Sequence, residues 1–121
     1  MSKNLNDVVR VEMYNRFAGR MQLRTLSTLA RRSLLYIPGS SERMLAKSRT
    51  IAADTLVYDL EDSVAAHCKD DARRLVAAEI AATPSVSELA VRINAPHTQK
   101  SLATADLDAV LETRAKVCAL G

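Results

Sequence analysis

The chain predicts an α/β fold made of parallel β/α units, the kind that closes into a (β/α)8 barrel, and three observations carry that expectation. Two short, near-continuous apolar runs, Ser33–Ile37 and Thr55–Leu60, have the composition of parallel strands covered on both faces. Stretches with helical spacing separate the apolar runs, and crossovers of that length force right-handed βαβ units and a parallel sheet. Each run also ends in groups that chemistry uses: Pro38-Gly39 after the first, Glu61-Asp62 after the second, and Arg92 and Asn94 at the end of a third, Leu89–Ile93. Polar residues gathered at the carboxyl ends of successive parallel strands are what such a barrel presents at its catalytic face.

The elements follow in order. Pro38-Gly39 stops the first strand, and Ser40 or Ser41 offers an N-cap for a helix through about Thr50, with Met44, Leu45 and Ser48 toward the sheet. After the second strand, Asp70 and Asp71 place negative charge in the first turn of a helix reaching about Ala82, which suits its dipole. Ala72, Leu75, Val76, Glu79 and Ile80 are spaced for one core-facing stripe of that helix, and Thr83-Pro84-Ser85 breaks it. The third strand leads through Ala95–Lys100 into a helix holding Leu107, Val110 and Leu111, and Val117–Leu120 reads as the start of a fourth strand.

Length and charge bound the function. A chain of 121 residues suits one ordinary domain, whereas a complete eightfold barrel needs ~250 residues. Hydrophobic content of 48% allows a core, and with aromatics at 3% the aliphatic residues must fill it. Residues 1–32 hold seven Lys/Arg against Asp7 and Glu12, net +5, while residues 33–121 hold ten against twelve, net −2; together they give the +3 of the whole chain. A nucleic-acid surface needs its basic stripe on the folded part, so that class is excluded. No apolar run approaches the ~18 residues of a membrane-spanning helix. Cys68 and Cys118 form no CxxC, which speaks against a disulfide framework or a zinc knuckle.

Residues 1–32 read as a leader. Met13–Arg32 contains no acidic residue, and Arg16, Arg20 and Arg24 recur every fourth position, with Tyr14, Phe17, Met21, Leu23, Leu26 and Leu29 supplying apolar surface. An Arg-rich, Ser/Thr-bearing, acid-poor amphipathic segment has the composition of a mitochondrial transit peptide, which places the protein in the matrix; without that role it is a surface-lying extension of a cytoplasmic protein.

Strand geometry suggests a site. Side chains alternate by two, so Asp59 and Glu61 share one face of the second strand, and Arg92 and Asn94 one face of the third. Together they would point an acidic pair and an Arg/Asn pair into the barrel mouth, where a guanidinium suits a substrate carboxylate. The alternative is an ion pair between Arg92 and Asp59 or Glu61 that only organises the barrel top. His67 and Cys68 read as surface or capping residues, and His97 as an exposed loop residue.

The blocks Arg31–Ser48 (RRSLLYIPGSSERMLAKS), Ala53–Arg73 (ADTLVYDLEDSVAAHCKDDAR) and Glu88–Asn94 (ELAVRIN) closely resemble the opening of the citrate lyase beta-subunit-like proteins. These include the malyl-CoA and citramalyl-CoA lyases and belong with the wider HpcH/HpaI aldolases. The likeness runs from about Arg32 to Leu111, the first third of a family member. It implies a TIM (β/α)8 barrel of which residues 33–121 form the N-terminal part, about three β/α units, behind the leader of residues 1–32. It also implies a lyase that makes or breaks a carbon–carbon bond beside an acyl-CoA thioester, using Mg²⁺. By that likeness Arg43 and Lys47, four apart on the first helix, meet the phosphates of coenzyme A; the plainer alternative for them is a solvated helix face. Arg92 would bind the carboxylate of a keto-acid, glyoxylate or pyruvate, with Glu61 and Asp62 orienting it or the water shell of the metal. The metal-ligating carboxylates are expected in later strands, beyond residue 121. The chain is therefore expected to be an inactive N-terminal fragment of a protein that is homo-oligomeric at full length. The alternatives are a CoA-independent hydroxy-keto-acid aldolase and a truncated, non-catalytic CoA-binding subunit.

Overall fold

The computed structural model describes residues 31–82, 85, 87–113 and 116–118. The leader therefore lies almost wholly outside the described residues. From Arg31 onward the order is β1 (Leu34–Pro38), α1 (Glu42–Ser48), β2 (Thr55–Asp59), α2 (Lys69–Ala82, entered through a short 3-10 turn at Ala66–Cys68), β3 (Glu88–Arg92), α3 (Lys100–Val110) and β4 (Lys116–Cys118). The four strands are parallel and lie in chain order, β1-β2-β3-β4. The order never reverses, so successive right-handed crossovers put their helices on the same side of the sheet, as in one arc of a barrel. A doubly wound sheet, with helices on both faces, requires a reversal. The expected fourth strand begins one residue early; Ala119 and Leu120 fall outside the described residues.

The core lies between the sheet and its helices. Ile37, Leu56, Tyr58, Leu89 and Val91 alternate along one face of the strands and pack with Leu45 of α1, Ala72, Val76 and Ile80 of α2, and Ala103 and Val110 of α3. Each fully buried aliphatic side chain contributes ~1.5–3 kcal/mol over leaving it in water. Tyr58 is the one aromatic of this cluster, and its hydroxyl meets the Ser48 hydroxyl at 3.1 Å while Ser48 donates to Leu45 O at 2.6 Å. That pair explains why a serine faces the sheet. Met44, in contrast, is 40% exposed, because the seven-residue α1 turns only Leu45 and Ser48 inward. Ser41, not Ser40, is the N-cap and accepts from Met44 N.

Glu79 is buried in the α2 stripe because Arg49, the C-cap of α1, donates Nε and Nη2 to its two oxygens, both at 2.7 Å. Leu75 of that stripe is only half-buried, and Leu107 and Leu111 likewise; in α3 the buried positions are Ala103, Asp106 and Val110. At the amino ends of the strands, Asp54 accepts from Arg32 N at 2.9 Å and from Ser33 N at 3.0 Å, and these amides hold its carboxyl below the usual range. Arg31 donates twice to Glu88, which also takes the Thr55 hydroxyl at 3.0 Å. That end of the sheet is tied together by pairs that leave few donors for a ligand.

Gly39 is the tightest point in the turn that leads from β1 toward α1. Its N–H donates to Asp59 O at 2.9 Å, and a Cβ there would stand 2.7 Å from that same oxygen and 2.9 Å from Val76 Cγ2. The first contact is with backbone, so the strand itself must move. Gly39→Ala is expected to lower stability by about 1–3 kcal/mol, read as the free energy of urea unfolding; an unchanged unfolding midpoint refutes the steric account.

Candidate active site

Parallel register sets Asp59 directly opposite Arg92, both at the last position of their strands. Arg92 Nε donates to Asp59 Oδ1 at 2.8 Å and Nη2 to Oδ2 at 2.7 Å, a two-pronged pair with side-chain exposures of 16% and 2%. The same carboxylate accepts from Glu61 N at 2.9 Å, Ser63 N at 3.1 Å and Ser63 Oγ at 2.6 Å. Burial alone pushes the Asp59 carboxyl up, but the hydrogen bonds from Arg92, from Ser63 and from the two amides outweigh it and hold the group well below the usual carboxylate range. Arg92 is correspondingly held more firmly protonated, chiefly by its bonds to Asp59; burial opposes this, and the charges of Asp59, Asp62 and Glu61 add to it. Its guanidinium carbon lies 5.0 Å from the centre of the Tyr36 ring, a cation–π contact on the adjoining side.

The third nitrogen of Arg92 faces elsewhere. Nη1 stands 3.2 Å from Asp62 Oδ2 and 3.5 Å from Glu61 Oε2. The structure thus brings Arg92, Glu61 and Asp62 together at the carboxyl ends of β2 and β3. It also shows an Arg92–Asp59 pair: the fork is occupied by the Asp59 carboxylate, and the Nη1 edge faces Asp62 and Glu61. Asp59, with both oxygens engaged, is a fixed support.

Asn94 does not join them. It is fully buried, and its amide donates to Leu60 O at 2.9 Å and Asp106 Oδ2 at 2.7 Å while its oxygen accepts from Lys69 Nζ at 2.8 Å. The pleat of β3 ends at Arg92, whose carbonyl takes Leu60 N at 2.9 Å, so the alternation by two no longer applies at Asn94. Lys69 and Arg73, which lie in the second resemblance block with no role expected of them, and Asp106 form the rest of this network. Lys69 Nζ also donates to Leu60 O at 2.8 Å and Glu61 O at 2.7 Å, and Arg73 pairs with Asp106 at 2.7 Å and with Asp70. A signal was there: a lysine at the first position of a helix opposes the helix dipole and needs acceptors to justify it.

Arg43 and Lys47 are both exposed on α1. Arg43 lines a groove of about 610 Å³ between α1 and α2, with Ala46, Arg49, Leu75, Glu79 and Ala82, but Lys47 is not among its lining residues. The two are not brought into one groove. His67 and His97 are exposed and Cys68 is half-buried, as expected. Among the described residues no three His, Cys, Asp or Glu side chains stand together in a way that would hold a metal ion. Among them, too, no helix is long and apolar enough to cross a membrane.

Comparison with known proteins agrees with this architecture. Residues 32–120 match the family model of the HpcH/HpaI aldolase/citrate lyase domain. A (3S)-malyl-CoA thioesterase of Cereibacter sphaeroides is 44% identical over 85 residues, 69% of this chain and 29% of that protein. The citrate lyase subunit beta of Escherichia coli is 48% identical over 54 residues, 45% of this chain and 18% of that protein. The mitochondrial citramalyl-CoA lyase of Rattus norvegicus is 36% identical over 85 residues, 69% of this chain and 25% of that protein. The chain belongs to the HpcH/HpaI aldolase/citrate lyase family. It spans less than a third of the length of these curated relatives.

The depressed Asp59 carboxyl makes a pH prediction. Its folded value lies below the ~3.9 of an unfolded aspartate, so below about pH 4 the unfolded chain binds more protons. The contribution of the pair is therefore complete above that pH and is lost as pH falls further; Asp54 adds a slope of the same sign. Asp59→Asn should cost about 3 kcal/mol or more at pH 7, since it strips a largely buried guanidinium of its counter-charge. It should also flatten the stability profile below about pH 4, measured by urea unfolding in a pH series. A profile parallel to that of the unmodified chain refutes the assignment.

Proposed function

We propose that this chain is the opening part of a (β/α)8 barrel that binds an acyl-CoA thioester and a small keto-acid for making or breaking the carbon–carbon bond between them. The observation that supports this best is the pinned guanidinium. Asp59 fixes two nitrogens of Arg92 and Tyr36 flanks the group, which leaves Nη1 at the strand ends as a directed donor. A donor held in place before the ligand arrives loses little on binding it. Asp62, exposed and closest to Nη1, yields that position to the carboxylate of glyoxylate or pyruvate, and the less exposed Glu61 stays beside it. The family relatives whose names specify malyl-CoA and citramalyl-CoA support the thioester partner, and Arg43 and Lys47 supply exposed cations on α1 for its phosphates.

In cleavage, the bond between the thioester's α-carbon and the hydroxyl-bearing carbon breaks. The hydroxyl proton leaves, the keto-acid carbonyl forms, and the electron pair goes to the thioester enolate, which is then protonated. Arg92 holds the carboxylate of the departing keto-acid through this change. Mg²⁺, implied by the family, finds no ligand set among the described residues: Asp59 is saturated, and Glu61 and Asp62 lie against a guanidinium that opposes a second cation. We therefore assign no step to it here. The same observation favours a second reading, a CoA-binding chain without catalysis.

One experiment separates them. The 121-residue chain, titrated calorimetrically with acetyl-CoA and with pyruvate or glyoxylate, should bind both, and Arg92→Lys should weaken keto-acid binding by about 2–4 kcal/mol, because an ammonium cannot serve Asp59 and a ligand with one planar group. Free keto-acid released from malyl-CoA or citramalyl-CoA, with and without EDTA, should stay at background. Chelator-sensitive release would overturn the binding-only expectation for this chain and establish the lyase reaction; unchanged keto-acid affinity in Arg92→Lys would remove Arg92 from the site.

We further propose that residues 1–32 direct the protein to mitochondria. A fusion of that segment to a fluorescent reporter should be imported, and replacing Arg16, Arg20 and Arg24 by Glu should abolish import. Cytosolic fluorescence from the unmodified fusion rejects the proposal.

A further inference from the structure

We propose that Lys69 is a positioning residue for the strand-end site: its buried ammonium fixes the turn after β2 and so determines where Glu61 and Asp62 stand relative to Arg92. The inference rests on the site reading above. Lys69 is 8% exposed, and its three donors meet three acceptors, Leu60 O at 2.8 Å, Glu61 O at 2.7 Å and Asn94 Oδ1 at 2.8 Å. An ammonium has three protons, so none is left over. Two successive carbonyls of one turn thus converge on a single cation.

The far side of that cation is equally fixed. Asp106, fully buried, accepts from Asn94 N and Asn94 Nδ2, each at 2.7 Å, and from Arg73 Nε at 2.7 Å. Asn94 therefore cannot rotate without breaking bonds to α3. On the opposite side, Asp59 holds the amides of Glu61 and Ser63. The turn is gripped through its carbonyls by Lys69 and through its N–H groups by Asp59, and Asp59 is also the partner of Arg92. Two grips from opposite sides fix the backbone dihedrals of residues 60–62, hence the direction in which the Glu61 and Asp62 side chains leave. Removal of Lys69 leaves the Asn94 oxygen without its donor, and leaves the Leu60 carbonyl to Asn94 Nδ2 and the Glu61 carbonyl to Val64 N alone.

The test uses the 121-residue chain and its Lys69→Met and Lys69→Arg variants. Amide hydrogen exchange is measured without ligand. Lys69→Met should raise exchange at Glu61, Asp62 and Ser63 at least tenfold while Val57 and Val91 stay protected, and should lower affinity for pyruvate at least tenfold. Lys69→Arg, which retains charge and donors, should recover part of both. Unchanged exchange in the turn, equal loosening of the turn and of Val57 and Val91, or a loosened turn with undiminished pyruvate affinity each overturn the proposal. A loosened turn combined with an Arg92→Lys variant that binds pyruvate normally refutes the site reading instead and leaves the grip itself in place. Should Lys69→Met not fold, ¹⁵N-lysine labelling of the unmodified chain decides: one slowly exchanging ammonium coupled through hydrogen bonds to the Leu60 and Glu61 carbonyl carbons is expected, and an averaged, uncoupled signal overturns the proposal.

Discussion

Asp59 and Arg92 face each other at the same level of neighbouring strands, and what stands above the sheet depends on that pairing. The carboxylate neutralises the guanidinium, orients it, and gathers the first residues of the following turn by their amides. Taking two charges out of water is costly unless both are fully hydrogen-bonded, and here the five bonds to Asp59 meet that condition. Parallel register is what makes the pair possible. A shift of β3 by one residue would turn Arg92 to the helix-facing side, into the apolar cluster around Val76 and Ile80. The apolar face of the strands therefore protects the polar site: the packing that buries Tyr58 and Val91 also fixes Asp59 and Arg92 on the other side.

The two ends of the sheet divide their work. At the amino ends, Arg31 and Glu88 satisfy each other and Asp54 takes the amides of Arg32 and Ser33. At the carboxyl ends, Arg92 keeps one nitrogen toward the half-buried Glu61 and the exposed Asp62, and the helices beneath contribute a second, buried layer through Lys69 and Asp106. Binding and catalytic groups of β/α barrels sit at this end, which is why the proposed site is sought there.

Much of this was legible in the chain. The apolar runs of β2 and β3, covered on both faces as expected, the strand-end positions of Glu61, Asp62 and Arg92, and the break after α2 follow from composition; β1 departs from that expectation, since Leu34, Leu35 and Tyr36 are exposed. The pairing of Arg92 with Asp59 is one that their strand-end positions allow, and the register realises it. Asn94 leaves the face expected of it for a definite reason: alternation holds only while the strand lasts, and β3 ends two residues earlier. For Lys69 the one local signal is a cation at the start of a helix; its partner Asn94 is 25 residues away and the Arg73–Asp106 pair spans 33, so nothing local encodes where these groups meet. Met44 shows the converse: a seven-residue helix has room for one inward stripe, and the larger side chain was not the one selected.

Tyr36 carries one last consequence. The chain has no tryptophan and three tyrosines, of which Tyr58 is buried against Ser48 and Tyr36 lies open over the Arg92 guanidinium. A cation on the face of a phenol ring perturbs its absorption and emission, so the site contains its own optical label. Any ligand that draws Arg92 aside, or adds a negative charge next to it, changes the field on that ring. Occupancy can thus be followed in near-ultraviolet light from the native chain, without an attached dye, with Tyr58 as a shielded internal reference.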